Sequence, residues 1–278
     1  MRGDVIPLRP LTLAELLDSA VELLRRNALG LLAVSAGLAV AEQALLYPLR
    51  VLAHTVPPNY LQPPISRLGA YWLLVAFGLG TEAAIIGLLG GLAGRAAVPA
   101  MVGGAAPRWP LGRGSRLVPL VGLSVVLAAG AALTAAAGLI PWFFWYLFTG
   151  LAAPALIIDR LGPLQALGRS FVMVGRGRWR PGGIRLLGYV AWLSIRVALA
   201  TGSIAALSFV IDLRGPTWPA IVAMAAWVIV NTVAYAVLGC LDAVLHLENR
   251  MRVEGLDLTL GRALRRGVPV EQILGARR

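Results

Sequence analysis

The sequence predicts an all-α integral membrane protein: a six-helix transmembrane bundle with amphipathic interfacial helices, forming one membrane domain over residues 1–278. Three observations predict it. Of the 278 residues 58% are hydrophobic and only 14% are charged, with mean hydropathy +0.78. A water-soluble domain usually carries about 25% charge. Six apolar stretches each approach the roughly 20 residues that a helix needs to cross a bilayer. The loops between them alternate between arginine-rich and arginine-poor.

Residues 12–27 come first. Thr12 and Glu15 stand at capping-box spacing. Leu13, Leu16, Leu17, Ala20, Val21, Leu23 and Leu24 recur at helical intervals, opposite Glu15, Asp18, Glu22, Arg25 and Arg26. Such a helix is expected to lie along the membrane interface. The spans follow at 28–50, 69–94, 117–139, 142–159, 186–211 and 217–246. Pro141 marks a tight connection between the third and fourth, and Pro216 with Pro219 opens the sixth. A second amphipathic segment, Pro163 to Trp179, precedes the fifth. It sets Leu164, Leu167, Phe171, Val172 and Val174 against Arg169, Arg176 and Arg178. Shifted by 151 residues, Leu16, Ser19, Val21 and Arg25 fall on Leu167, Ser170, Val172 and Arg176. That correspondence predicts three repeated units, each an interfacial element followed by a transmembrane hairpin. The middle element would lie near 97–116, where proline and glycine weaken it. Residues 247–278 form a tail, in which Arg262, Arg265, Arg266 and Val268 to Leu274 resemble a short helix.

Arginine sets the orientation. All 25 lysine-or-arginine positions are arginine. Twenty-one lie in the N-terminal segment, the second and fourth loops (the fourth from Arg160 to Arg185) and the tail; Arg50, Arg67 and Arg214 lie on the other side. The positive-inside rule then predicts both termini in the cytoplasm of a cell-membrane protein. Tyr71, Trp72, Trp142 to Tyr146 and Trp218 open spans on the far side, as interfacial aromatic residues do. Arg2 and Arg9 precede an amphipathic stretch rather than a signal peptide, so the first span is expected to be retained.

The net charge of +12 finds its counter-charge in anionic lipid headgroups of the inner leaflet, not in nucleic acid. Cys240 is the only cysteine, and His54 and His246 fall at opposite ends of the predicted spans. No metal site or cofactor is therefore expected. Ser124 and Ser203 lie within spans without a histidine or lysine at matching depth, which argues against intramembrane hydrolysis and against an enzyme.

Three passages resemble a known family. They are Arg9-Pro-Leu-Thr-Leu-Ala-Glu-Leu-Leu-Asp-Ser-Ala, then Ala153-Pro-Ala-Leu-Ile-Ile-Asp-Arg-Leu-Gly-Pro-Leu-Gln-Ala-Leu-Gly-Arg-Ser, then Arg250-Met-Arg-Val-Glu-Gly-Leu-Asp-Leu. In order, they are similar to the opening, the hairpin exit with second interfacial helix, and the C-terminal signature of an actinobacterial membrane family. That family is labelled "glycerophosphoryl diester phosphodiesterase membrane domain". The resemblance implies a membrane architecture and no chemistry. Where the family has Asp-Leu-Arg, this chain has Glu248-Asn249-Arg250, and no stretch here would supply the roughly 200 soluble residues of a catalytic barrel.

Charges within spans are the functional candidates, because each costs roughly 2.5–3.5 kcal/mol at mid-helix on insertion scales. Glu42 and Gln43 in span one, Glu82 in span two, Arg196 in span five and Asn231 in span six are expected to share one polar interior. Asp242 lies nearer the cytoplasmic end, within reach of water or Arg250. Two outcomes are open: a polar pathway or headgroup pocket, or a buried Glu–Arg pair that only fixes packing. Arg176, Arg178, Trp179 and Arg180 are candidates for contact with lipid or a protein partner. Gly87, Gly90, Gly91 and Gly94 suit close helix packing, within the chain or between copies. The expected function is a non-catalytic membrane scaffold or accessory subunit in cell-envelope physiology, with a cytoplasmic or membrane protein partner. The alternative is a small transporter or lipid-handling permease.

Overall fold

The computed structural model describes residues 7, 9–56, 63–101, 111–112, 116–208 and 217–265. Among these the chain is helical, with no strand. In order come α1 (Leu13–Arg26), α2 (Ala28–Leu52), α3 (Leu68–Met101), α4 (Leu117–Ala137), α5 (Leu139–Thr149), α6 (Ala152–Ile158), α7 (Pro163–Arg176), α8 (Arg180–Ser208), α9 (Thr217–Glu254) and α10 (Leu256–Arg265). Six helices or helix pairs are long and apolar enough to cross a membrane, so the chain reads as a multi-pass membrane bundle. Most of the expected middle interfacial element, Pro216, and the tail from Arg266 onward lie outside the described residues.

α1 starts where the capping box predicts. The Glu15 amide donates to Thr12 Oγ1, and the Thr12 amide donates to Glu15 Oε2 at 2.8 Å. Its apolar face divides in two. Leu16, Ala20, Leu23 and Leu24 are buried, whereas Leu13, Leu17 and Val21 stay exposed along a parallel stripe. In α7 the buried positions are Ala166, Ser170, Met173 and Val174. Each lies 150 residues after its α1 counterpart, and the two 14-residue helices also begin 150 apart. α1 and α7 therefore correspond at a shift of 150, not 151. Burial sets the register, because a slip of one residue turns a helix by about 100°. The N-caps Thr12 and Gly162 fall into step as well, as do Glu15 and Gln165, each reaching back to its cap.

Two breaks differ from expectation. The third and fourth spans turn at Gly138, whose φ of +139° suits glycine, and Pro141 sits inside the first turn of α5. The fourth span is also interrupted, between α5 and α6. Broken helices expose backbone groups that apolar surroundings cannot satisfy. Here Ser170 of α7 supplies both partners: its Oγ accepts from the Leu151 amide at 3.1 Å and donates to the Phe148 carbonyl at 2.6 Å.

α3 is the hub of the bundle and packs on α4, α9, α2 and α6. Its small residues make this possible. Gly80, Gly87 and Gly91 face α4, Gly90 faces α9, and Gly94 faces α6. A Cβ on Gly239 of α9 would stand 2.9 Å from the Gly90 amide nitrogen. The glycine run thus serves packing within the chain. α9 has 38 residues, roughly 57 Å of helix against a hydrocarbon core of about 30 Å. Its last turns extend past the apolar region and anchor α1, α7 and α10.

Candidate functional site: an intramembrane polar column

Four of the five predicted polar residues meet. Glu82 Oε1 lies 2.6 Å from Arg196 Nη1, joining α3 to α8. The Tyr189 hydroxyl, seven residues before Arg196 on the same face of α8, donates to Glu82 Oε2 at 3.0 Å. Glu42 of α2 is held from two other helices. Tyr235 donates to its Oε2 at 2.8 Å and Asn231 Nδ2 at 3.3 Å, both from α9, while Thr81 Oγ1 of α3 lies 3.1 Å from its Oε1. The Arg196 guanidinium links the two halves by standing over the rings of Tyr235 (5.4 Å) and Tyr189 (5.6 Å). Such cation–π contacts strengthen when desolvated, and Arg196 is only 2% exposed. Gln43 is not part of this set. It points toward the other end of α2 and accepts from Arg50 at 2.6 Å.

A second buried pair continues the column. Arg185 Nε lies 2.7 Å from Asp242 Oδ1. The same guanidinium stacks 3.6 Å over the Tyr146 ring and donates to the Tyr146 carbonyl. This corrects two expectations. Arg185 is not in a loop but within α8, and it is Arg185, not Arg250, that pairs with Asp242. The missed signal is a spacing. Arg185, Tyr189 and Arg196 follow one another by four and then seven residues on α8, as Asn231, Tyr235 and Asp242 do on α9. Intervals of four and seven keep side chains on one helical face. On two neighbouring antiparallel helices they place the two stripes opposite one another.

Beyond the column, at the arginine-rich end, lies a third network. Asp159, in the α6–α7 turn, meets Arg250 at 2.7 Å, Arg169 at 3.3 Å and His246 at 3.4 Å. Glu254 meets Arg169 at 2.7 Å and Arg250 at 3.1 Å. Burial disfavours the Asp159 carboxylate, but the charges of His246, Arg250 and Arg169 outweigh it and hold the group down at about 2. Glu248 pairs with Arg180 at 2.9 Å and with Arg252, and both arginines also donate to the Leu11 carbonyl, tying down the chain just before α1. Asn249 Nδ2 donates to the Met173 carbonyl at 2.9 Å near the end of α7.

The predicted lipid-contact group divides. Arg176 and Arg178 are exposed and form no ion pair with the described residues. Trp179 is 52% exposed, with its ring edge-on to Phe148 at 5.3 Å. Arg178 and Trp179 both take positive φ (53° and 63°), which turns the chain sharply into α8. Arg180 faces inward to Glu248 and so leaves the group.

Among the described residues no cluster of three or more histidine, cysteine or acidic side chains is arranged to hold a metal ion. Ser124 spends its hydroxyl on the Leu120 carbonyl of its own helix at 3.0 Å. No family model, curated protein or solved structure matches this chain.

Proposed function

We propose that the chain is a non-catalytic membrane scaffold or accessory subunit of the cell envelope. In this reading it sits in the cell membrane with both termini in the cytoplasm, and Arg176, Arg178 and Trp179 rest on anionic headgroups of the inner leaflet. One observation carries the proposal. Four of the five charges in the column are spent on each other across helices, Glu82 on Arg196 at 2.6 Å and Asp242 on Arg185 at 2.7 Å, and the fifth, Glu42, is held by neutral hydrogen-bond donors. Charges used in this way fix helix register and leave a pathway little to work with. The arginine asymmetry supports the orientation. The family resemblance supports an architectural role.

Arg196→Leu and Glu82→Leu, made singly and together, test the proposal. Arg196→Leu strands Glu82 and should lose about 3–5 kcal/mol of stability, with a matching fall in membrane abundance, whereas Glu82→Leu breaks the same pair but leaves Glu42 near the guanidinium and should lose less. The double variant should regain most of both and still complement a deletion strain. A double variant that returns to full abundance yet fails to complement overturns the scaffold reading in favour of a small transporter or lipid-handling permease.

A further inference from the structure

The polar column does not balance. Around Arg196 two carboxylates face one guanidinium: Glu82 pairs with it directly, and Glu42 is held by Tyr235, whose ring the guanidinium stands over. Arg185 cannot make up the difference, because Asp242 holds it. Arg50, farther along α2, is engaged with Gln43. Among the described residues, the other polar groups that contact the pair, Thr81 and Tyr189 as well as Asn231 and Tyr235, are neutral. One negative charge is therefore left over inside the apolar part of the bundle. An uncompensated charge there is among the costliest features a membrane protein can carry.

A second observation, independent of the charge count, falls at the same place. Asn231 is 3% exposed, and its Oδ1 has no hydrogen-bond partner. Its Nδ2 lies 3.3 Å from Glu42 Oε2 and 3.0 Å from the Tyr235 hydroxyl, so the nitrogen end of the amide sits against the Glu42 carboxylate. A buried orphan acceptor costs about 1–3 kcal/mol. The excess negative charge and the unused acceptor both call for the same thing, a small positively charged species between Glu42 and Asn231.

We propose that Glu42 and Asn231, backed by Thr81 and Tyr235, bind one exchangeable monovalent cation, a proton or a sodium ion, within the membrane. As a proton, it sits on Glu42 Oε2. A half-turn of the Asn231 amide then brings Oδ1 to where Nδ2 now lies, and the protonated carboxyl donates to it. As sodium, it is met by the Glu42 oxygens, Asn231 Oδ1 and Thr81 Oγ1. Either occupant brings the set around Arg196 to neutrality and gives Asn231 Oδ1 a partner, in the proton case in exchange for the contacts that Nδ2 now makes with Glu42 and Tyr235. The site lies where α2, α3 and α9 meet, so its occupancy governs how firmly α2 is held to the other two. This goes beyond a scaffold role, because it makes the packing of the bundle respond to a cation.

The test compares wild-type protein with Glu42→Gln, both full-length in lipid nanodiscs. The thermal unfolding midpoint is followed through a pH series from 5 to 9 at fixed sodium, then through a sodium series at fixed pH with choline as the balancing cation. The wild type should gain stability as one of the two cations rises. Glu42→Gln, whose amide is neutral and can itself donate to Asn231, should lose that response and unfold at or above the midpoint of the loaded wild type. Dependence on pH alone, with a protonated-carboxyl band in the infrared difference spectrum, identifies the proton. Dependence on sodium at constant pH identifies the metal ion. Identical pH and sodium responses in the two proteins overturn the proposal. If Glu42→Gln does not fold, wild-type protein with neither a carboxylic-acid band nor a sodium response overturns it equally.

Discussion

The polar column inside the bundle and the network at its arginine-rich end use the same side chains in opposite ways. Within the column three carboxylates (Glu42, Glu82, Asp242) face two arginines (Arg185, Arg196), and tyrosine hydroxyls and ring faces fill the remaining positions. At the end three carboxylates (Asp159, Glu248, Glu254) face four arginines (Arg169, Arg180, Arg250, Arg252), with His246 beside them. Among the described residues, one region has negative charge to spare and the other positive. Surroundings explain why both are tolerated. Surplus arginine beside headgroups is solvated by water and phosphate. A surplus carboxylate in the apolar layer has neither, so it needs a partner or a cation.

The contrast predicts unequal costs for equal deletions. Asp242→Leu leaves the Arg185 guanidinium buried without its carboxylate and should lose about 3–5 kcal/mol in reversible unfolding from detergent. Glu254→Leu, at a partly solvated ion pair, should lose less than about 1 kcal/mol in the same measurement. Equal losses would erase the distinction between the regions.

Ser170 probes the join between them, since it rises from α7 at the arginine-rich end to close the break in the fourth span. Ser170→Ala orphans the Leu151 amide and should lose about 1–3 kcal/mol. Hydrogen exchange at that amide should accelerate more than at neighbouring ones. Unchanged exchange at Leu151 would mean that the break is held by something else.

The effect of Asp159 depends on pH. Its carboxyl is held down at about 2, below the usual value of about 3.9, so the folded state favours the ionised form. The resulting stabilisation is fully present above about pH 4 and disappears as pH falls through about 2. Asp159→Asn should therefore lose about 1–2 kcal/mol at pH 7 and nothing further in acid. The wild-type advantage should vanish near pH 2. An advantage that persists there would show that Asp159 acts through packing instead of charge.

Much of this was legible in the sequence. The six spans, the capping box at Thr12 and Glu15, and the gathering of Glu42, Glu82, Arg196 and Asn231 follow from hydropathy and from the cost of charge in lipid. The differences share a cause. Arg185 reads as a loop arginine because charge signals a loop in a one-dimensional profile. Gln43 groups with Glu42 by adjacency, although neighbouring residues on a helix point about 100° apart. Residue identities match at a shift of 151, whereas burial in α1 and α7 matches at 150.

By itself the sequence determined the class of the molecule, because length, apolarity and arginine placement act residue by residue against a uniform solvent. The tertiary structure alone decided which charges meet. Pairing depends on helix rotation and on antiparallel register, and these are fixed by close approaches such as Gly239 against Gly90. Those contacts join residues about 150 positions apart, and no local pattern contains them.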